Sequence, residues 1–151
     1  MNQLRRSFLK LSGVALAVGA GLLKSGATLA AAWNKPAFEA KAVAEAVKSL
    51  GAANPIDSKD IIITAPDIAE NGAVVPIAVS SKIPNTQSIS IIAEKNPFPL
   101  SSTFDIANGA EGYVSTRLKM GETSNVRAVV KADGKFYTAV KEVKITIGGC
   151  G

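Results

Sequence analysis

Residues 125–140 read NVRAVVKADGKFYTAV, two β-rich runs joined by Asp133-Gly134. Glycine accepts the positive φ that a tight hairpin demands, so this stretch predicts two antiparallel strands with a turn at 133–134. Working outward, the same texture recurs as DIIITA (60–65), AVVPIAV (73–79), SISIIAE (88–94), GYVSTRLK (112–119) and EVKITI (142–147). Seven short runs separated by turn residues predict a mainly β chain, folded as an antiparallel β-sandwich. Asn71-Gly72 marks a further turn before AVVPIAV. Pro76 demotes that run to an edge strand or marks a bulge, because proline cannot donate to a ladder. Residues 96–102, with Pro97 and Pro99 flanking Phe98, read as a stiff loop whose phenylalanine either packs or meets another chain.

Before the strands the periodicity differs. Asn34 is a good N-cap, and Pro36 falls in the first turn, where a missing N–H does no harm. Phe38, Ala42, Val43, Ala46, Val47 and Leu50 recur at helical spacing and Gly51 ends the pattern. The expectation is one N-terminal amphipathic helix of about 15 residues, whose stripe covers either its own domain or a partner subunit.

The 151 residues contain no histidine and one cysteine. A Ser-His-Asp or Cys-His pair, a His-ligated metal, an internal disulfide and a cysteine-based zinc or iron-sulfur site are therefore excluded from this chain alone. The net charge of +5 suggests a nucleic-acid partner only if it lies on the folded domain. It does not: Arg5, Arg6, Lys10 and Lys24 stand in residues 1–32 without an acid, leaving 13 basic against 12 acidic residues afterwards. No nucleic-acid partner is expected.

Residues 1–32 read as an export signal. LRRSFLK at 4–10 precedes a Gly- and Ala-rich apolar run over 11–23, which resembles a twin-arginine signal, although Leu4 stands where Ser or Thr is usual. At 13 residues the run is short against the ~20 needed to span a bilayer, so no stable membrane anchor is expected after cleavage. Ala30-Ala31-Ala32 offers a processing site that leaves Trp33 first and a periplasmic product. A route that carries folded proteins calls for a cofactor or a folded partner; nothing in the sequence resembles a cofactor site, which favours the partner.

The carboxylates Asp67, Glu70, Glu94, Asp105, Glu111 and Glu122 fall in loops or near strand ends, with no spacing that forces two together, so hydrolysis by paired acids is not supported. Strand alternation puts Arg117 with Lys119 on one face and Arg127 with Lys131 on one face, read as solvated sheet surface. The ending is less ordinary. EVKITI runs into Gly148-Gly149-Cys150-Gly151, where glycines can neither bury the thiol nor fix its conformation. An unpaired thiol in an oxidising compartment implies use. Extended at about 3.3–3.6 Å per residue, Gly148 to Cys150 projects the sulfur roughly 10 Å, the geometry of a swinging arm whose thiol enters another enzyme's active site.

That ending, with APDIAENGAVVPI (65–77), AEKNPFPLS (93–101), the long run EGYVSTRLKMGETSNVRAVVKADGKFYTAVKEVKITI (111–147) and the twin-arginine leader, resembles the SoxY family, the sulfur-carrying subunits of periplasmic thiosulfate oxidation. Members generally end GGCGG, whereas this chain ends GGCG. The resemblance implies an immunoglobulin-like sandwich held as a heterodimer with SoxZ, exported as one folded complex. It also implies sulfur intermediates attached to Cys150 on an arm of Gly148, Gly149 and Gly151, and no catalysis, cofactor or metal in the chain itself. The implied enzymes are a haem enzyme that conjugates thiosulfate, a dimanganese hydrolase that releases sulfate and a sulfane dehydrogenase. The expected organisation is a signal peptide over 1–32, a helical segment over 33–55, the sandwich over 56–147 and the arm over 148–151. From the residues alone a second reading stays open: an exported interaction module whose Cys150 forms a disulfide to another chain.

Overall fold

The computed structural model describes residues 33–107 and 109–146. The signal, its processing site and the terminal Gly-Gly-Cys-Gly lie outside the described residues. The chain divides at Trp33 and Asn34 into two units, of which the second contains the fold.

That unit is mainly β, an immunoglobulin-like sandwich of two sheets preceded by helical structure. The strands are β1 (Ile56–Asp57), β2 (Ile61–Thr64), β3 (Ile68–Ala69), β4 (Val75–Ser81), β5 (Thr86–Ala93), β6 (Leu100–Asp105), β7 (Tyr113–Leu118), β8 (Ser124–Ala132) and β9 (Lys135–Ile145). The larger sheet runs β1-β9-β8-β5-β6, with β3 also on β9, and the smaller runs β2-β4-β7. The long strands pair antiparallel, while the two-residue strands β1 and β3 join β9 in parallel. Ile89, Ile91, Val126, Ala128, Val130 and Val143 from one sheet meet Val75, Ile77 and Val79 from the other in a core without solvent access. Asp133 (φ 48°) and Gly134 (φ 72°) make the expected β8–β9 hairpin.

Four features depart from the sequence reading. The predicted single helix is two: α1 (Lys35–Glu39) and α2 (Val43–Ser49), separated by the extended backbone of Ala40 and Ala42. Asn34 caps α1 by accepting from Ala37 N–H, and its Nδ2 also donates to Ser49 O at 2.9 Å. In a continuous helix those two residues would be about 22 Å apart. The chain folds back so that Ala37, Ala40, Ala46 and Val47 all lie over Ile92, Leu100 and Val129 on the outer face of the larger sheet. Of the two covers considered for the stripe, its own domain is the one seen.

Secondly, residues 100–102, assigned to a loop, open strand β6. LSSTFD lacks an apolar alternation and is strand because β5 pairs with it; a register shift opposite Ile91 and Ile92 leaves Ser101 as an extra residue. Thirdly, KFYTAV and the first four residues of EVKITI belong to a single strand, β9. Lys141 between them occupies the core-facing row with Ala139 and Val143, and its Nζ reaches the rim to donate to Ala65 O (2.7 Å) and pair with Asp67 (3.0 Å). A long side chain can bury its stem and keep its charge at the surface, which is why the alternation survives a lysine.

Lastly, Pro76 lies in the central strand of its sheet and not in an edge strand. Pairing with β2 begins only at Ala78, opposite Thr64, so at Pro76 the strand has β7 as its neighbour and none on the other side. The missing donor is tolerated where the ladder is locally one-sided.

Gly112 provides a test of the packing between the β6–β7 connection and β4. A Cβ there would stand 2.9 Å from Ser81 O, while Gly112 O accepts from Ser81 N–H at 2.7 Å. Gly112→Ala is expected to cost about 1–3 kcal/mol through this overpacking, read as a lower urea midpoint at unchanged m-value.

Candidate functional site

A sandwich of this topology gathers its connections at two ends. One end carries residues 65–74, 94–99 and 119–123 and the last described residue of the chain, Thr146. The strand leading to Cys150 is held at that end from both sides. On one side, β3 pairs Ile68 with Lys144 and Ala69 with Ile145. Lys144 N–H donates to Asp67 O (3.0 Å), Thr146 N–H to Ala69 O (3.1 Å), and the Thr146 hydroxyl to Glu70 O (3.3 Å). On the other side, Ile145 N–H donates to Thr123 Oγ1 at 2.9 Å, continuing the edge of β8 past its first residue. The described backbone therefore reaches Thr146, four positions before the cysteine in the sequence.

The loops that hold this end are tied to one another. Met120 N–H donates to Gly72 O (2.7 Å) and Asn96 Nδ2 to Lys119 O (2.7 Å). Lys95 N–H donates to Ser124 Oγ (3.0 Å), and the Lys95 ammonium pairs with Glu122. Asn71 caps the single 3-10 turn Gly72–Val74 by accepting from Ala73 N–H, so the Asn71-Gly72 signal marks the turn into β4.

Of the carboxylates singled out in the sequence, Asp67, Glu70, Glu94 and Glu122 come to this end, and Asp105 and Glu111 to the other. They do not converge as paired acids. Asp67 is on Lys141 and Glu122 on Lys95, and Glu94 is taken up by Arg127 and Asn125. Arg127 is a correction: its face was read as solvated, yet its guanidinium is half-buried, bonded to Glu94 Oε1 through Nη2 (2.7 Å) and Nε (2.8 Å) and to Thr138 through Nη1. Lys131 stands over the Phe136 ring on the same face, while Arg117 and Lys119 are exposed as expected. Phe98 is 52% exposed, and Pro99 beside it is fully buried. The functional residues that sequence reasoning passed over are Thr123 and Thr146, whose hydroxyls hold the root of the tail; neither carries a motif.

At the opposite end, a polar cavity of about 460 Å³ opens between Ile83, Asn85, Thr86, Gly112 and Asp133, with the sandwich's length between it and Thr146. Among the described residues no helix is long and apolar enough to cross a membrane.

Fold and topology together define an immunoglobulin-like sandwich whose last strand is hydrogen-bonded from both sides at one end. The family model described as sulfur oxidation protein SoxY matches residues 46–150, and the chain belongs to that family. A solved structure of the sulfur carrier protein SoxY from Chlorobium limicola f. thiosulfatophilum is 44% identical to it, covering 68% of this chain and 94% of that one, with a TM-score of 0.62. A PKD domain of an M14-like peptidase from a Thermoplasmatales archaeon is 20% identical over 61% of this chain and 96% of its own, with a TM-score of 0.39. No curated protein matches.

Thr123→Val tests the root. The Ile145 amide loses its acceptor, and the expected cost of about 1–3 kcal/mol falls locally. Hydrogen exchange at Ile145 should accelerate at least tenfold, while the amides of Val129 and Val130 keep their wild-type rates.

Proposed function

We propose that this chain is a covalent carrier of sulfur intermediates on Cys150, serving partner enzymes and catalysing none of the steps itself. The observation that carries the reading is that the matched span of the family reaches Cys150, four positions beyond Thr146, whose backbone is hydrogen-bonded into the sandwich. A thiol at that distance from a rigid root suits delivery into a site on another protein. The chain is exported through its twin-arginine leader, acts in the periplasm and is held in a heterodimer with SoxZ. Gly148, Gly149 and Gly151 give the arm a narrow cross-section and a wide choice of backbone conformations.

The chemistry balances on the one sulfur atom. The Cys150 thiol and thiosulfate join through a new S–S bond, releasing one proton and two electrons that pass to the haem enzyme. Water then cleaves the terminal sulfur from the S–S–sulfonate group, in the dimanganese hydrolase, giving sulfate, two protons and a persulfide anion on Cys150. The sulfane dehydrogenase oxidises that retained sulfur to a sulfonate, three waters supplying the oxygens while six protons are released and six electrons pass to that enzyme. The carrier contributes attachment, length and presentation.

Two substitutions test this. Cys150→Ser is expected to abolish sulfur loading, read by intact mass of the protein from sulfur-grown cells, with an unchanged urea midpoint, because a hydroxyl is a far poorer nucleophile. Only a disulfide-linked dimer in the wild-type spectrum would favour the interaction-module reading instead. Gly149→Val is expected to leave alkylation by iodoacetamide at its wild-type rate and to reduce enzymatic loading strongly, since a β-branched side chain beside the sulfur obstructs a narrow channel.

A further inference from the structure

The outer faces of the two sheets differ in what they carry. On the larger sheet the helices lie over Ile92, Leu100 and Val129, and the residues beside that cover include Arg127, Lys131 and Glu142. On the smaller sheet Ile61, Val75, Ile77, Val79, Val114 and Leu118 are buried in the core, so the alternate residues point outward. Strand register sets these in three rows across β2, β4 and β7. Ile62, Ser80 and Tyr113 form the first, Thr64, Ala78 and Ser115 the middle one, and Pro76 and Arg117 the last. Arg117 is the one charge among those eight residues. Other exposed apolar side chains stand close to charges, Ile56 beside Asp57, Ile68 beside Asp67 and Val140 two positions from Glu142. Exposure alone would therefore single out no surface; the arrangement of this one does.

The face is complementary to itself. A two-fold axis placed over the middle row and perpendicular to the strands carries the first row of one copy onto the last row of another. Tyr113 of each copy then meets Arg117 of the other, which makes two contacts of a guanidinium on an aromatic ring. Within one chain the two residues are four positions apart on β7, about 13 Å, so they do not meet each other. The middle row opposes itself through Thr64, Ala78 and Ser115, and side chains of that size let two sheets pack about 10 Å apart. The two copies of Arg117 lie about 13 Å from one another along the strands, beyond the ~8 Å Debye length, so no like charges are forced together. Three strands about 4.8 Å apart and about six residues long make a footprint on the order of 300 Å² per copy. A stable complex covers about 800 Å² per partner, so this surface supports a weak, exchanging pair.

We infer that the outer face of the smaller sheet binds a second copy of this chain, sheet on sheet, with Tyr113 and Arg117 paired reciprocally across a two-fold axis. The inference stands apart from the carrier reading, because it uses residues of the sandwich alone.

The test uses the exported, processed chain carrying Cys150→Ser, which removes any disulfide between copies. Sedimentation equilibrium from about 1 μM to about 1 mM should show the mass rising from monomer toward dimer, with a dissociation constant on the order of 100 μM. Tyr113→Arg sets a cation against Arg117 of the second copy and is expected to weaken association about tenfold or more. Adding Arg117→Glu to that variant sets opposite charges against each other at both contacts and should restore association to the wild-type level. Both side chains are exposed, so the urea midpoints are expected to stay unchanged. A chain that remains monomeric across the series overturns the inference, as does association that Tyr113→Arg leaves unaltered. Failure of the second change to rescue the first overturns the reciprocal pairing. A chain that is monomeric alone but loses its copurifying partner on Tyr113→Arg assigns the face to that partner, and overturns the second copy as its occupant.

Discussion

The end of β9 is gripped between β3 and the β7–β8 turn, and the placement of Thr146 at that end of the sandwich depends on that grip. A last strand paired on one side only would fray, because terminal residues gain little from packing and lose much backbone freedom on ordering. Here Lys144, Ile145 and Thr146 each donate a backbone N–H, to Asp67 O, Thr123 Oγ1 and Ala69 O in turn. The segment supplying two of those acceptors is itself anchored through Lys141, whose ammonium holds Ala65 O and the Asp67 carboxylate. A lysine in the core-facing row of β9 therefore serves the same end as the short parallel strand.

The sandwich was largely legible from residues 60–147 because strands buried on a face advertise themselves by apolar runs and turn residues. Each of the seven runs contributes residues to a strand, the last two to the same one, and Asp133-Gly134 turns as its chemistry requires. What escaped was structure decided by neighbours. Ser101, Ser102 and Thr103 have no strand signature of their own and are strand because β5 offers a ladder. In the second half Val43, Ala46, Val47 and Leu50 face the sheet as the stripe requires, but in the first half only Phe38 does, while Ala42 is exposed and Ala37 and Ala40, outside the stripe, are buried, because periodicity cannot register that the chain doubles back. Arg127 read as a surface charge because the carboxylate that neutralises it, Glu94, is 33 residues away in sequence.

The candidate site, Cys150, lies outside the described residues and was singled out in a different way. Cys150 stood out through its isolation among glycines, and membership of the SoxY family agrees with the resemblance that its surroundings suggested. The threonines at the root carried no signal: a hydroxyl that accepts one N–H or donates to one carbonyl is chemically common, and its value comes from where the strand happens to end. Sequence reasoning thus singled out Cys150 before the hydrogen bonds that hold the strand leading toward it.

The edge formed by β6 has a consequence for crowded conditions. Six residues of an outermost strand present backbone donors and acceptors to any neighbouring chain, the usual route to unwanted strand addition. This edge is rich in hydroxyls, and the extra residue at Ser101 breaks its regularity. The Ser102 hydroxyl is buried without a partner, at a cost of about 1–3 kcal/mol. A more apolar strand would be steadier in isolation, but it would also be a better template for a second copy. The unpartnered hydroxyl and the extra residue thus make β6 a less regular edge than an apolar strand would be.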